Sequence, residues 1–363
     1  MPFSPQLPRA VVTRRRVLSG IGATLALPMI GGRARADQQV VFAGYGGSAE
    51  KFMRGVVIPS FEQATGIKVV YVVGTALSNY SRVVANKRRP ELDIYWSNDL
   101  SHVAGKLQSL YAPLDPKLVP NLEKVYAFAR DPDGIGVASN YSVTGLQYNP
   151  RKLEEAGVPV PSSWLDLWDP KLKGRVAIYS IGVLYSQDFL AMMMRITGGN
   201  YDNVSAAIKK VKAMREMGNI AAFPSSPAEM DNVLVQEQAW VSCNSQTRAL
   251  TLMQGGSPLR FAQPKEGAPI FKVITDVIKG GPNPEGAQKF INHMLSDEMQ
   301  SATAQAIGYA PVNMKATIPT EFRGLMPENE KGLAGYVELD RVAMNRVLDN
   351  WIELWNRDIE TSR

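Results

Sequence analysis

The sequence predicts an α/β chain of two lobes, each a mostly parallel sheet flanked by helices, and three observations carry that prediction. Short β-branched runs alternate with segments whose apolar residues recur at helical spacing. Turns rich in Gly, Ser, Asn and Asp separate them. The alternation then begins afresh near the middle of a 363-residue chain, which is longer than one hydrophobic core usually serves.

Residues 1–36 are read as an address and not as fold. A basic start leads into an apolar run from Val17 to Ile30, too short to span a bilayer, and Ala34, Arg35 and Ala36 form a small-residue cleavage pattern. Thr13, Arg14, Arg15, Arg16, Val17 and Leu18 resemble a twin-arginine export signal. Cleavage after Ala36 is expected, with Asp37 as the mature N-terminus.

That segment holds six arginines and no acid, so removing it leaves 34 basic against 34 acidic residues. The mature chain is formally neutral, and its one dense basic run, Lys87, Arg88 and Arg89, stops at Pro90 in a loop, so a phosphate-tracking surface is excluded. Cys243 is the single cysteine and His102 and His293 lie far apart, which leaves neither a disulfide nor a local metal motif. At 45% apolar and 20% charged residues, stability is expected from packing alone.

Val40 to Ala43 reads as a strand stopped by Gly44, Tyr45, Gly46 and Gly47, and Phe52, Val56 and Phe61 mark the helix that follows. Ile67 to Val73 is a second, β-branched strand. Asp93 to Trp96 is a third, followed by a capping turn at Ser97 to Ser101 and a helix from Val103 to Leu110. This βαβαβ order makes a parallel sheet whose ligands sit at the carboxyl ends of the strands. Thr144 to Tyr148 and Val176 to Tyr179 restart the pattern, with a helix from Asp188 to Ile196. Further units are expected at Ile220 to Phe223, Val233 to Gln236, Ala239 to Cys243 and Thr247 to Met253. The tail from Arg341 to Asp358 sets Leu348, Trp351, Ile352 and Trp355 on one helical face, which reads as packing. No G-x-S-x-G elbow, H-E-x-x-H, Cys-x-x-Cys or G-x-G-x-x-G stands in the chain, so catalysis is not expected.

Three stretches, "YGGSAEKFMRGVVIPSFEQATGIKVVY", "TGLQYNPRKLEEAGVPVPSSWLDLWDPKLKGRVAI" and "GAQKFINHML" with "IGYAPVN", carry a resemblance over nearly the whole mature length. The chain resembles the periplasmic solute-binding proteins of ABC importers with the type 2 fold, in the branch of the spermidine/putrescine binders and their ferric-iron and thiamine relatives. The resemblance implies a non-catalytic periplasmic monomer without cofactor, which closes its lobes on a small-molecule ligand and delivers it to a membrane permease. It further implies one lobe of residues 37–142 and 265–310, another of 143–264 and 311–363, and hinges at Asn140 to Ser142, Gln263 to Lys265 and Ala310 to Asn313.

Strand-end turns supply the candidate ligand contacts. Tyr45, Gly46, Gly47 and Ser48 follow the first strand, where free backbone N–H groups favour an acceptor. Trp96, Ser97, Asn98 and Asp99 follow the third, able to stack on and hydrogen-bond a ligand or, for Asn98 and Asp99, to cap the next helix. From the second lobe come Tyr179, Ser180, Tyr185 and Ser186, then Asn244, Ser245 and Gln246; Tyr141 stands at the hinge, as cleft wall or as packing.

Polyamine binders carry a Trp and an Asp in the stretch similar to "PKEGAPIFKVITD", where this chain has Lys272 with Ile274 or Asp276. A lysine repels a polyamine, so a cleft-facing Lys272 favours a carboxylate or phosphonate, and Asp99 or Glu266 opposite it a zwitterion. Ferric-iron relatives use paired tyrosines after the strand ending here at Cys243; Asn244 and Ser245 occupy those places. The expected solute is therefore zwitterionic, an organic acid or polyamine-like, with ferric iron and an exported enzyme as the alternatives.

Overall fold

The structure, a computed structural model, describes residues 39–327 and 330–361; the export signal and its cleavage after Ala36 lie outside the described residues. β1 (Gln39–Tyr45) leads into α1 (Ser48–Phe52), a π turn (Met53–Val57) and α2 (Ile58–Thr65). β2 (Lys68–Gly74), α3 (Ala76–Ala85), β3 (Ile94–Asn98), α4 (Asp99–Leu107) and the short β4 (Tyr111–Ala112) follow. The next run is β5 (Val137–Tyr148), α5 (Pro150–Glu155), β6 (Val176–Ala177), α6 (Leu184–Ile196), α7 (Ser205–Glu216), β7 (Ile220–Ala222), α8 (Pro227–Val235), β8 (Val241–Ser245), α9 (Gln246–Gln254) and β9 (Arg260–Ala262). The chain then returns through β10 (Ala268–Ile278), α10 (Pro284–Met294), α11 (Asp297–Ile307) and β11 (Ala310–Pro311), and ends with β12 (Tyr336–Val337) and α12 (Arg341–Trp355).

The strands join in the order β2-β1-β3-β10-β5-β8-β6-β7. The outer strands are parallel within each half, β2 with β1 and β3 in one, β8 with β6 and β7 in the other. Between them β10 and β5 run antiparallel to their neighbours. β5 is the crossing element: Val137 to Val143 pair with β10, and Thr144 to Tyr148 pair with β8. The segment Asn140 to Ser142 therefore lies inside one unbroken strand whose ladder partners change from one half to the other.

Packing explains the division. Phe42, Phe52, Phe61 and Phe290 close one face of the first sheet, and Val83, Tyr95, Leu110 and Tyr111 the other. A second core gathers Trp164, Phe189, Met192, Trp351 and Trp355. The tail departs from expectation in two ways. Residues 311 to 326, expected in the second lobe, pack in the first core through Val312, Phe322 and Met326, because β11 adds to β5 at Tyr141 and Asn140; the second core resumes with Leu339. On α12 the buried stripe is Met344, Val347, Trp351 and Trp355, with Leu348 and Ile352 only half-buried beside it. The helix expected from Val103 begins at Asp99, because the Asn98 side chain accepts the Ser101 N–H at 2.8 Å and so sets the cap four residues earlier.

α4 is also held to the sheet by charge. The buried His102 ring lies 2.7 Å from Asp276 through Nδ1 and 3.2 Å from Asp131 through Nε2, with Tyr111 stacked on it and Lys106 on the far side of Asp131. Burial alone would lower its pKa, but the two carboxylates outweigh burial and push it up to about 9. A raised pKa means stability that is complete below the ordinary value of about 6.5 and lost as pH rises through about 9. In urea unfolding, the stability advantage of wild type over His102→Gln is expected to shrink by on the order of 2–3 kcal/mol between pH 6 and pH 10; an advantage independent of pH would place a neutral ring in this pocket.

Candidate binding cleft

The two halves meet where the strand ends converge. Tyr45 closes β1, Tyr185 stands in the first turn of α6, and Tyr309 directly precedes β11. All three are half-buried, and burial raises each phenol pKa. They also act on one another: Tyr309 and Tyr185 raise Tyr45 further, and Tyr185 raises Tyr309, so the three hydroxyls lie within electrostatic reach. Arg248 on α9 opposes the rise at both Tyr185 and Tyr309. Arg248 is ion-paired with Asp231, yet its Nε–H is buried without a protein partner.

β10 borders this cluster through Phe271. Phe271 lies 5.5 Å from the Tyr185 ring, and Tyr45 lies 5.3 Å from Trp96. Alternation along a strand sends neighbouring side chains to opposite faces, so Lys272 leaves on the side away from Tyr185. There its Nζ reaches Glu338 Oε1 at 2.5 Å and sits 5.7 Å over the Phe128 ring, in a second cavity of about 440 Å³ lined by Asp99, His102, Phe128, Lys272, Glu338 and Arg341. Of the two acids expected opposite Lys272, Asp99 lines the same cavity, whereas Glu266 accepts the Ser163 hydroxyl at 2.6 Å and the Trp164 N–H at 3.2 Å, and so fastens the 163–168 turn.

Several other expected contacts turn out to be framework. Trp96 is fully buried, donates Nε1–H to Ser139 Oγ at 2.8 Å and packs on Phe42, so it backs Tyr45 and does not itself face the cleft. Tyr141 is a core residue against Phe128, its ring 5.1 Å away. Ser186 donates to the Tyr179 and Ser180 carbonyls, and Asn244 accepts from the Tyr179 hydroxyl and the Ser245 N–H and donates to Gln147. Ser245 caps α9, and Gln246 donates to the Leu325 carbonyl. Gly46 is half-buried, while Gly47 and Ser48 are exposed. Gly47 adopts φ 70°, a left-handed conformation that favours glycine, and thereby turns the chain from β1 into α1.

Tyr309, Phe271, Arg248, Asp188 and Arg341 are cleft or junction residues that sequence reasoning missed. "IGYAPVN" held the signal for Tyr309, a lone aromatic beside a hinge. Arg341 was hidden, since nothing local distinguishes it from any other helix-opening arginine. Its Nε donates to Asp99 Oδ2 at 2.9 Å, Nη1 to Asp188 Oδ1 at 2.5 Å and Nη2 to the Ile270 carbonyl at 3.0 Å, all buried. Asp188 also accepts the Thr144 hydroxyl at 2.7 Å. Burial would lower the Arg341 pKa, but Asp188 and Asp99 together raise it, so the guanidinium stays charged. Among the described residues no group of three or more His, Cys, Asp or Glu side chains is arranged to hold a metal ion.

The profile of bacterial extracellular solute-binding proteins matches residues 57–322. The spermidine/putrescine-binding periplasmic protein of Escherichia coli K12 is 24% identical over 276 residues, covering 72% of this chain and 74% of that one. The crystal structure of an ABC transporter protein from Clostridium perfringens superposes with a TM-score of 0.74 at 23% identity, over 88% of this chain and 99% of that one. A solved GABA receptor gives the same TM-score, 0.74, at 20% identity, over 90% of this chain and 99% of the other.

The full burial of Trp96 and the partial exposure of Lys272 are separable by mutation. Trp96→Ala is expected to cost about 3–5 kcal/mol of stability, whereas Lys272→Ala should change it by no more than about 1 kcal/mol. Urea denaturation of both variants decides this, and equal effects would contradict the two placements.

Proposed function

The chain belongs to the family of bacterial extracellular solute-binding proteins, and from that premise we propose that it is the exported substrate-binding component of an ABC importer. It takes a small polar solute between its halves and hands it, unaltered, to a membrane permease. The observation that carries this reading is the convergence of Tyr45, Tyr185 and Tyr309 from three separate stretches of chain, each phenol half-buried and each raised by burial. Phenols held neutral in this way are hydrogen-bond donors and aromatic walls; they are not bases or nucleophiles, and that suits capture without chemistry. Separation of the halves about β5 and β10 admits the solute, and closure buries it.

The solute class is read from what surrounds the phenols. The ring faces favour an ammonium or an apolar stem, and the unused Nε–H of Arg248 favours a carboxylate or phosphonate. A zwitterion or an organic acid meets both conditions. The name of the GABA-binding neighbour accords with a zwitterion. Ferric iron is less suited, because burial raises these phenols, whereas a metal requires them deprotonated.

Titration of the purified mature chain with a panel of amino acids, organic acids, aminophosphonates, amines and ferric salts is expected to raise the melting temperature for one class. That hit should also reduce the radius of gyration in solution scattering, and Tyr185→Ala should weaken it by roughly tenfold or more with the fold kept. A hit indifferent to Tyr45, Tyr185 and Tyr309 alike would move the site elsewhere, and product formation from any solute would end the reading. For the exported form, intact-mass measurement is expected to give a chain beginning at Asp37; a retained leader in the periplasmic fraction would contradict cleavage.

A further inference from the structure

Two acids at the junction of the halves are already served by a cation of the chain itself. Asp99 opens α4 in the first half and lines the 440 Å³ cavity; Asp188 lies on α6 in the second half, three residues beyond Tyr185. Arg341 stands between them, hydrogen-bonded to Asp99 at 2.9 Å and to Asp188 at 2.5 Å, and none of the three exposes more than 7% of its surface. The other oxygen of each carboxylate is used as well. Thr144 donates to Asp188 at 2.7 Å, and the Leu100 N–H donates to Asp99 at 3.1 Å.

The geometry points to Arg341 as a specificity-determining residue: it occupies, as a tethered internal cation, the position between Asp99 and Asp188, and it excludes an ammonium-bearing solute from that position. Two buried carboxylates, one of them lining a cavity, are otherwise the chemistry that receives a diamine or polyamine. A free ammonium competes poorly with a guanidinium that is covalently held in place, bidentate across the pair and anchored on the Ile270 carbonyl. Removing that side chain opens a space continuous with the 440 Å³ cavity, which Asp99 and Arg341 line. The inference goes beyond the cleft reading above, because it concerns the cavity on the other face of β10, and it separates this chain from the relative named for spermidine and putrescine.

The test is calorimetric titration of the mature chain with 1,4-diaminobutane. Wild type and Arg341→Lys, which both keep a cation, are expected to give no saturable binding in the millimolar range, whereas Arg341→Gln should bind the diamine at least roughly tenfold more tightly than wild type. Equal affinity in wild type and Arg341→Gln overturns the inference, as does a folded Arg341→Gln with no gain. Should Arg341→Gln fail to fold, Asp188→Asn combined with Arg341→Gln removes one of the two buried charges left unpaired and leaves Asp99 free. That double variant is expected to show a smaller gain for the same probe, and its absence is again decisive against the inference. Solute binding by wild type and its loss in Tyr185→Ala are read in a separate titration, so the cleft reading and this one fail independently.

Discussion

The antiparallel pairing of β5 with β10 is the constraint on which the rest of the molecule depends. Both strands lie between the two parallel sets, so the halves are joined by a hydrogen-bonded ladder and not by a tether. A ladder resists stretching but tolerates twisting, which is the mechanical property a two-lobed capture device needs. It also fixes direction. Because side chains alternate along β10, Phe271 is committed to the phenol cluster and Lys272 to the opposite cavity, and no rotamer change exchanges them.

The charges at the junction follow from the same crossing. Asp99 and Asp188 are brought together only when the halves meet, and two buried carboxylates at that distance from water require a partner. Arg341 supplies it from the start of α12, a helix whose own anchorage in the second core comes from Trp351 and Trp355. A buried pair of this kind contributes less to stability than its contacts suggest, because desolvation offsets most of the attraction. Its effect lies in selecting one arrangement of the two halves and one charge for what enters between them. The phenols complement this: burial raises their pKa values and keeps them neutral, with Arg248 the charged group that opposes the rise at Tyr185 and Tyr309.

Much of this was legible in the residues. The β-branched run at Ile67 to Val73, the glycine turn after β1 and the strand near Thr144 announced alternating strands and helices, because β-branched residues favour strands and glycine turns close them. Tyr45 and Tyr185 were singled out as cleft candidates for a related reason: strand ends in parallel sheets face the crevice. The same rule overreached at Trp96, Tyr141, Ser186 and Asn244, since a residue beside a strand end turns either toward the gap or into the core. Tyr309, Arg248 and Arg341 escaped because they enter the junction from helix starts and a joining segment far away in sequence.

What the sequence by itself determined is the class of fold, the alternation of elements and the absence of a catalytic motif, all of which depend on local periodicity and residue type. What only the tertiary structure decided is which face of β10 looks into the cleft, where residues 311–326 pack, and that Asp99 and Asp188 share one guanidinium. Those are long-range facts: they arise when segments separated by as many as 242 positions come within 3 Å of one another, and no local pattern encodes such a distance.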